Sequence, residues 1–244
     1  MELLEVLIPF VGVLLIVAAI AVFVIRVDRR RRAALRALAE RRGWQIGFAE
    51  RNAEGAIGTV LRPAATDPES WELSQFSRNR RNSASRSGGT VTRSHWTDPG
   101  RRSPAGLWAF APPLPAEAAA AGMGLLGALG GGMARAMLTR FLGDIGRELP
   151  DLQHVEAPGG KPRGFTLFTS APDARGVDLD LIDEAFRDWT ATHPKGKPPP
   201  VLLAEPGRLS LRLEKSLNQA ADWEEMADFG RRIAPAFPLN HPDL

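Results

Sequence analysis

Twenty consecutive residues, Val6 to Ile25, carry no ionisable side chain, and fifteen of them are Val, Leu, Ile or Phe. Wound as an α-helix at about 1.5 Å per residue, such a run is about 30 Å long, the thickness of a bilayer's hydrocarbon core. Each large apolar residue near its centre favours insertion by about 0.3–0.6 kcal/mol. Pro9 falls in the first turn, where a missing amide donor does little harm. The run predicts a transmembrane helix, and everything after it must be built around that anchor. Glu2 and Glu5 precede it, while Arg26, Arg29, Arg30, Arg31 and Arg32 follow it. A secretory signal has the reverse arrangement, basic residues first and a small-residue cleavage site after. The positive flank predicts an outward N-terminus and a cytosolic remainder.

The run offers little beyond anchoring. With no ionisable group it is a poor proton path. It also lacks small residues four apart, since Gly12 precedes Ile16, Ala18 precedes Val22 and Ala19 precedes Phe23. A tight dimer seam of the small-xxx-small type is therefore unsupported.

Charge follows the same geography. The net charge of +3 divides into −2 over residues 1–25, +9 over 26–105 and −4 over 106–244. A pI of about 9.9 therefore describes a basic membrane-proximal region and not a uniform polyanion-binding surface. The chain has neither Cys nor Tyr. That excludes disulfides, thiolate metal sites, cysteine or tyrosine nucleophiles, and thioester or thioether lipid anchors.

Residues 26–42 are rich in Ala, Leu and Arg and predict a juxtamembrane helix, which Gly43 is placed to stop. Arg29, Arg30, Arg31 and Arg32 are candidate contacts for anionic headgroups, each basic group near the surface contributing about 1 kcal/mol. Short apolar runs at Trp44–Phe48, Ala56–Leu61, Ser70–Phe76, Thr90–Trp96 and Gly106–Ala111 then predict strands. Trp71 and Leu73 alternate with Glu72 and Ser74, as on a half-buried strand. The segment RNRRNSASRSGG, Arg78 to Gly89, reads as a basic loop. It adds Arg80 and Arg81 to the candidate lipid contacts.

Pro112, Pro113 and Pro115 suggest a junction, dividing a β-rich region at 43–115 from an α+β region at 116–244. Ala116–Leu149 reads as a helix pair interrupted at Gly130-Gly131-Gly132. Within it, uncharged Ala118–Ala134 is too short and too rich in Ala and Gly for a second span. Gly164–Ser170 predicts a strand. Val177–Thr192 predicts a helix with Ile182, Ala185, Phe186 and Trp189 on one face. Pro200–Ala204 and Arg208–Leu213 predict a hairpin, and Asp222 with Glu225 predicts the capped start of a last helix. The fold class is α+β, one transmembrane helix followed by a soluble domain of mostly antiparallel strands with amphipathic helices. Residues 43–244 are expected to fold without the anchor.

No motif carries chemistry. Gly122, Gly124 and Gly127 have dinucleotide spacing but follow an alanine run where that fingerprint needs a strand. Asp178 and Asp180 suit a helix start as well as a metal. His95, His154, His193 and His241 are scattered, without ligand partners at helical spacing. Arg78, Arg80, Arg81, Arg86, Arg93, Arg101 and Arg102 surround Trp96, a pattern that single-stranded nucleic acid could also use.

With its Arg-rich exit, Gly43-Trp44 and the α+β remainder, the chain resembles bacterial single-pass membrane proteins with a cytosolic α+β domain, to which no function is attached. The resemblance implies no activity and no site residues, and the anchor with its basic flank predicts the bacterial plasma (inner) membrane. The expected function is a non-catalytic, membrane-tethered module that binds protein partners in the cytosol, with the bilayer as its first partner. No cofactor or small-molecule substrate is expected, and nucleic acid is disfavoured. Two alternatives stand beside it. One is anionic-lipid or nucleic-acid binding through residues 76–105. The other is an enzyme whose site assembles only in the fold.

Overall fold

The structure is a computed structural model, and it describes residues 2–79, 90–113, 152–155, 162–171, 175–193, 199–213 and 215–240. The expected helix pair at 116–149, the glycines at 122–132, the Pro115 junction, Arg80, Arg81, Arg86 and His241 lie outside the described residues.

Helix α1 runs unbroken from Glu2 to Arg42. The expected division between a membrane helix ending at Ile25 and a separate helix at 26–42 is not present. No residue there interrupts the backbone ladder, and Arg and Ala are strong helix formers. Gly43 ends the helix at φ +68°. The Trp44 N–H bonds the Ala39 carbonyl at 2.8 Å and the Gly43 N–H bonds Glu40 at 3.3 Å, the two bonds of a Schellman cap. From Leu14 to Arg30 every side chain is exposed. Leu35, Leu38 and Ala39 are then 2%, 1% and 3% exposed and belong to the main core.

The described strands form one nine-stranded antiparallel sheet. They are β1 (Gln45–Arg51), β2 (Ile57–Arg62), β3 (Glu72–Asn79), β4 (Thr90–Asp98), β5 (Trp108–Ala111), β6 (Gln153–Val155), β7 (Thr166–Thr169), β8 (Val201–Glu205) and β9 (Arg208–Leu213). Their spatial order is β1-β2-β3-β4-β9-β8-β5-β7-β6. The hairpin β8–β9 sits between β4 and β5, so residues before and after the Pro112–Pro115 segment share one sheet and one core.

Helices α2 (Leu179–Thr192) and α3 (Ala220–Ile233), followed by a 3₁₀ turn at Ala234–Ala236, complete the described elements. Asp178 caps α2 by accepting the Asp180 and Leu181 amides at 3.1 and 3.0 Å, and the expected apolar face of this helix is the buried one. Helix α3 starts earlier than expected. Gln219 is its cap and Asp222 is the N3 residue, whose carboxylate accepts the Gln219 amide at 2.9 Å.

The face of the sheet that meets α1, α2 and α3 carries Leu61, Leu73, Trp96, Leu202, Leu209, Leu211 and Phe110. All six tryptophans are buried in this core. Glycine at 230 follows from that packing: a Cβ there would lie 2.4 Å from two atoms of the Trp96 ring. A second cluster, Leu107, Ala109, Ala111, Leu152, Phe168, Val201 and Leu203, alternates with these positions and occupies the opposite face.

Candidate functional site

Three places on the domain combine side chains that can do something beyond packing. The first is the junction of α1 with the domain. Here Arg31 donates to the Leu217 carbonyl at 2.8 Å and to Gln75 at 3.3 Å. Arg41 and Arg42 pair with Glu224 at 2.7 and 3.1 Å, and Arg42 also reaches Asp228. The guanidinium groups of Arg32 and Arg36 lie 5.4 and 5.3 Å from the Phe48 ring centre. The second half of the Arg-rich stretch is clamped to the domain, because Leu35, Leu38 and Ala39 share one helical face that only the core can bury. Of the sequence-derived contacts, Arg29 and Arg30 are exposed. Arg32 pairs with Asp28 at 2.8 Å, and Arg31 is bonded to the domain as above.

Strand register gives this junction a direction. Trp71 packs edge-on against Trp44, ring centres 5.1 Å apart, just past the C-terminus of α1. Four residues on, Gln75 meets Arg31. β3 therefore runs back along α1 toward its N-terminus. Pairing of β2 with β3 ends at Gly58–Phe76, and pairing of β4 with β9 ends at Ser94–Leu213. β3 and β4 continue together to Asn79–Thr90. This two-stranded arm overhangs the sheet at the end from which α1 emerges.

The second place is a polar cluster on the sheet face opposite the helices. His95 on β4 is 4% exposed and stands opposite Ser74 on β3 and Arg212 on β9. Its Nδ1 lies 3.3 Å from a carboxylate oxygen of Glu54, in the β1–β2 turn. The contact with His95, together with the charges of Arg212 and Arg208, outweighs partial burial and holds the Glu54 carboxyl at a pKa of about 2. Phe76 meets the His95 ring edge-on, centres 5.0 Å apart. The Asn52 amide donates to Ser74 at 3.1 Å.

The third place is a cleft of about 300 Å³ at the opposite pole from the overhanging arm. It lies where β3 begins, β4 ends and α3 passes into its 3₁₀ turn. Glu69, Trp71, Trp96, Asp98, Arg101 and Arg231 supply its chemistry. Glu69 grips Arg231 in a two-point pair of 2.6 and 3.0 Å and accepts the Trp71 indole N–H at 2.7 Å. One oxygen of Asp98 accepts the Ser70 hydroxyl at 2.9 Å and the Gly100 amide at 2.8 Å. Arg101 donates to the Phe237 carbonyl at 2.8 Å.

The other sequence candidates disperse. Trp96 is fully buried and cannot stack on a base, and Arg93 is buried on the other face of β4. Asp178 is a helix cap, while Asp180 pairs with Arg163 at the surface. His154 lies against Phe168. His193 stacks on Trp189, ring centres 4.5 Å apart, with its Nε2 3.0 Å from Glu225. Among the described residues no group of three or more His, Asp or Glu side chains is placed to hold a metal.

Both the cleft and the His95 cluster escape sequence reading because their members are far apart in the chain.

Comparison with known proteins gives no match: no family model, no curated protein and no solved structure is similar to this chain. Among the described residues no helix is long and apolar enough to cross a membrane. The described side chains of α1 begin at Leu14, part-way along the Val6–Ile25 run.

Proposed function

We propose that the protein is a membrane-tethered interaction module, its domain held in the cytosol against the inner leaflet by α1. One observation carries this reading. The described apolar side chains of α1 from Leu14 to Val27 are exposed on every side of the helix. Water does not tolerate an apolar stripe that wraps a whole helix, so this surface needs hydrocarbon around it. The helix then enters the core with no linker. The domain is thus a rigid extension of its anchor and presents a fixed pole to the cytosol. A reporter active only in the cytosol, fused after Leu244, is expected to function, with the protein sedimenting in membranes and resisting carbonate extraction. Activity of an export-dependent reporter at that position overturns the orientation, and a soluble full-length chain overturns the tether.

The overhang of β3 and β4 favours a second reading beside it, contact with anionic headgroups. The ten residues that join these strands contain Arg80, Arg81 and Arg86 and no acid. The described ends of β3 and β4, Asn79 and Thr90, lie toward the end of α1 at which Arg29 and Arg30 are exposed. Charge attraction of this kind weakens as salt rises. In nanodiscs, crosslinking of residue 83 to phosphatidylserine headgroups is expected at low salt. It should fall in the Arg80→Ala/Arg81→Ala variant, and equal crosslinking to purely zwitterionic lipid refutes the contact.

A further inference from the structure

We infer that the distal cleft binds a small zwitterion of the α-amino-acid type. The groups of the cleft sort into those already engaged and those left over. Glu69 and Arg231 neutralise one another, so they add polarity without net charge. Asp98 is only 8% exposed, and its carboxylate meets two neutral donors at one oxygen. No cation pairs with it among the described residues. Arg101, half-buried, gives one N–H to a carbonyl and pairs with no carboxylate among the described residues.

A buried anion without a counter-charge is unfavourable alone, and half-buried Arg101 supplies a cation that no acid among the described residues engages. A ligand bearing both complementary charges engages both. Its ammonium goes to the remaining oxygen of Asp98 and its carboxylate to the Arg101 fork, a pairing of charge-assisted bonds. Pro68, Pro235 and Leu239 provide exposed apolar walls for a side chain. The volume falls at the lower end of small-molecule pockets, about 300–1,000 Å³. The cleft also opens away from the end at which α1 leaves the domain, so a soluble ligand reaches it whether or not the tether reading holds.

Isothermal titration of the full chain in detergent micelles with each of the twenty amino acids provides the test. Saturable binding is expected, strongest for an apolar amino acid such as leucine. Removing either charge from the ligand should weaken binding about tenfold or more. For leucine the probes are 3-methylbutylamine, which lacks the carboxylate, and 4-methylpentanoate, which lacks the ammonium. Asp98→Asn keeps the oxygen that Ser70 and Gly100 use and should weaken leucine to a similar degree, as should Arg101→Gln. The analogues need no variant, so they decide the matter even where a substitution disturbs folding. The inference is overturned if no amino acid binds saturably. It is equally overturned if the analogues match leucine, or if both folded variants bind as the parent does.

Discussion

Leu38 sits on the last turns of α1 at 1% exposure, beside Leu35 at 2%, which makes this end of the helix part of the domain core and not a detachable stalk. Truncating a buried leucine to alanine costs about 2–5 kcal/mol, the transfer term plus the cavity left behind. Domains of this kind are stable by only about 5–15 kcal/mol. Leu38→Ala should therefore remove a large share of stability. Losing Leu35, Leu38 and Ala39 together, as in a fragment beginning at Gly43, should leave residues 43–244 unfolded, against the expectation from sequence that they fold alone. The assay is urea unfolding of a fragment beginning at Asp28, followed by the fluorescence of the six buried tryptophans. With a denaturant slope of about 2 kcal/mol/M, Leu38→Ala should lower the midpoint by about 1–2.5 M. Two results would refute the reasoning: a midpoint unchanged by Leu38→Ala, or a cooperative transition for the Gly43 fragment matching that of the longer one.

Gly230→Ala should destabilise the domain by roughly 1–2 kcal/mol although alanine is the better helix former. The clash with a Trp96 ring that is buried on all sides exceeds the roughly 1 kcal/mol gain in propensity; thermal unfolding reads the sign. Glu54 has its folded pKa depressed from 4.5 to about 2, so its pairing stabilises the fold above about pH 4.5 and loses that effect as pH falls toward 2. The stability gap between the parent and Glu54→Gln should shrink over that window, and chemical denaturation at a series of pH values measures it. Asp178→Ala removes the cap of α2 and should cost about 0.5–2 kcal/mol, visible in the same unfolding assay. Arg41→Ala, by contrast, breaks an exposed pair and should change stability by less than about 1 kcal/mol.

Elements with a clear period were legible in the sequence. Leu209, Leu211 and Leu213 alternate and do lie on one buried face of β9, and Ile182, Ala185, Phe186 and Trp189 do line the buried side of α2. Gly43 was readable as a stop because only a left-handed residue suits that cap. Continuity of α1 was not readable, since composition changes at Arg26 from apolar to basic while backbone propensity does not. The strand β6 has only three residues, too few to show alternation. The start of α3 was displaced because Asp222 suits both the cap and the N3 position, and only the backbone decides between them. Site residues were the least legible. The cleft gathers Glu69, Asp98, Arg101 and Arg231 from three separate stretches, and His95 meets Glu54 across a sheet whose strand order no local pattern encodes.

The tether itself is tested most directly by labelling single cysteines, because the chain has none of its own. Glu2→Cys, Val17→Cys and Ala53→Cys variants, expressed at full length, would be treated with a membrane-impermeant maleimide before and after cell lysis. If α1 anchors the domain as proposed, residue 2 reacts on intact cells, residue 53 reacts only after lysis, and residue 17 reacts in neither case until detergent is added. Labelling of residue 17 as fast as residue 53 in lysed cells, or of residue 53 on intact cells, would contradict the tether.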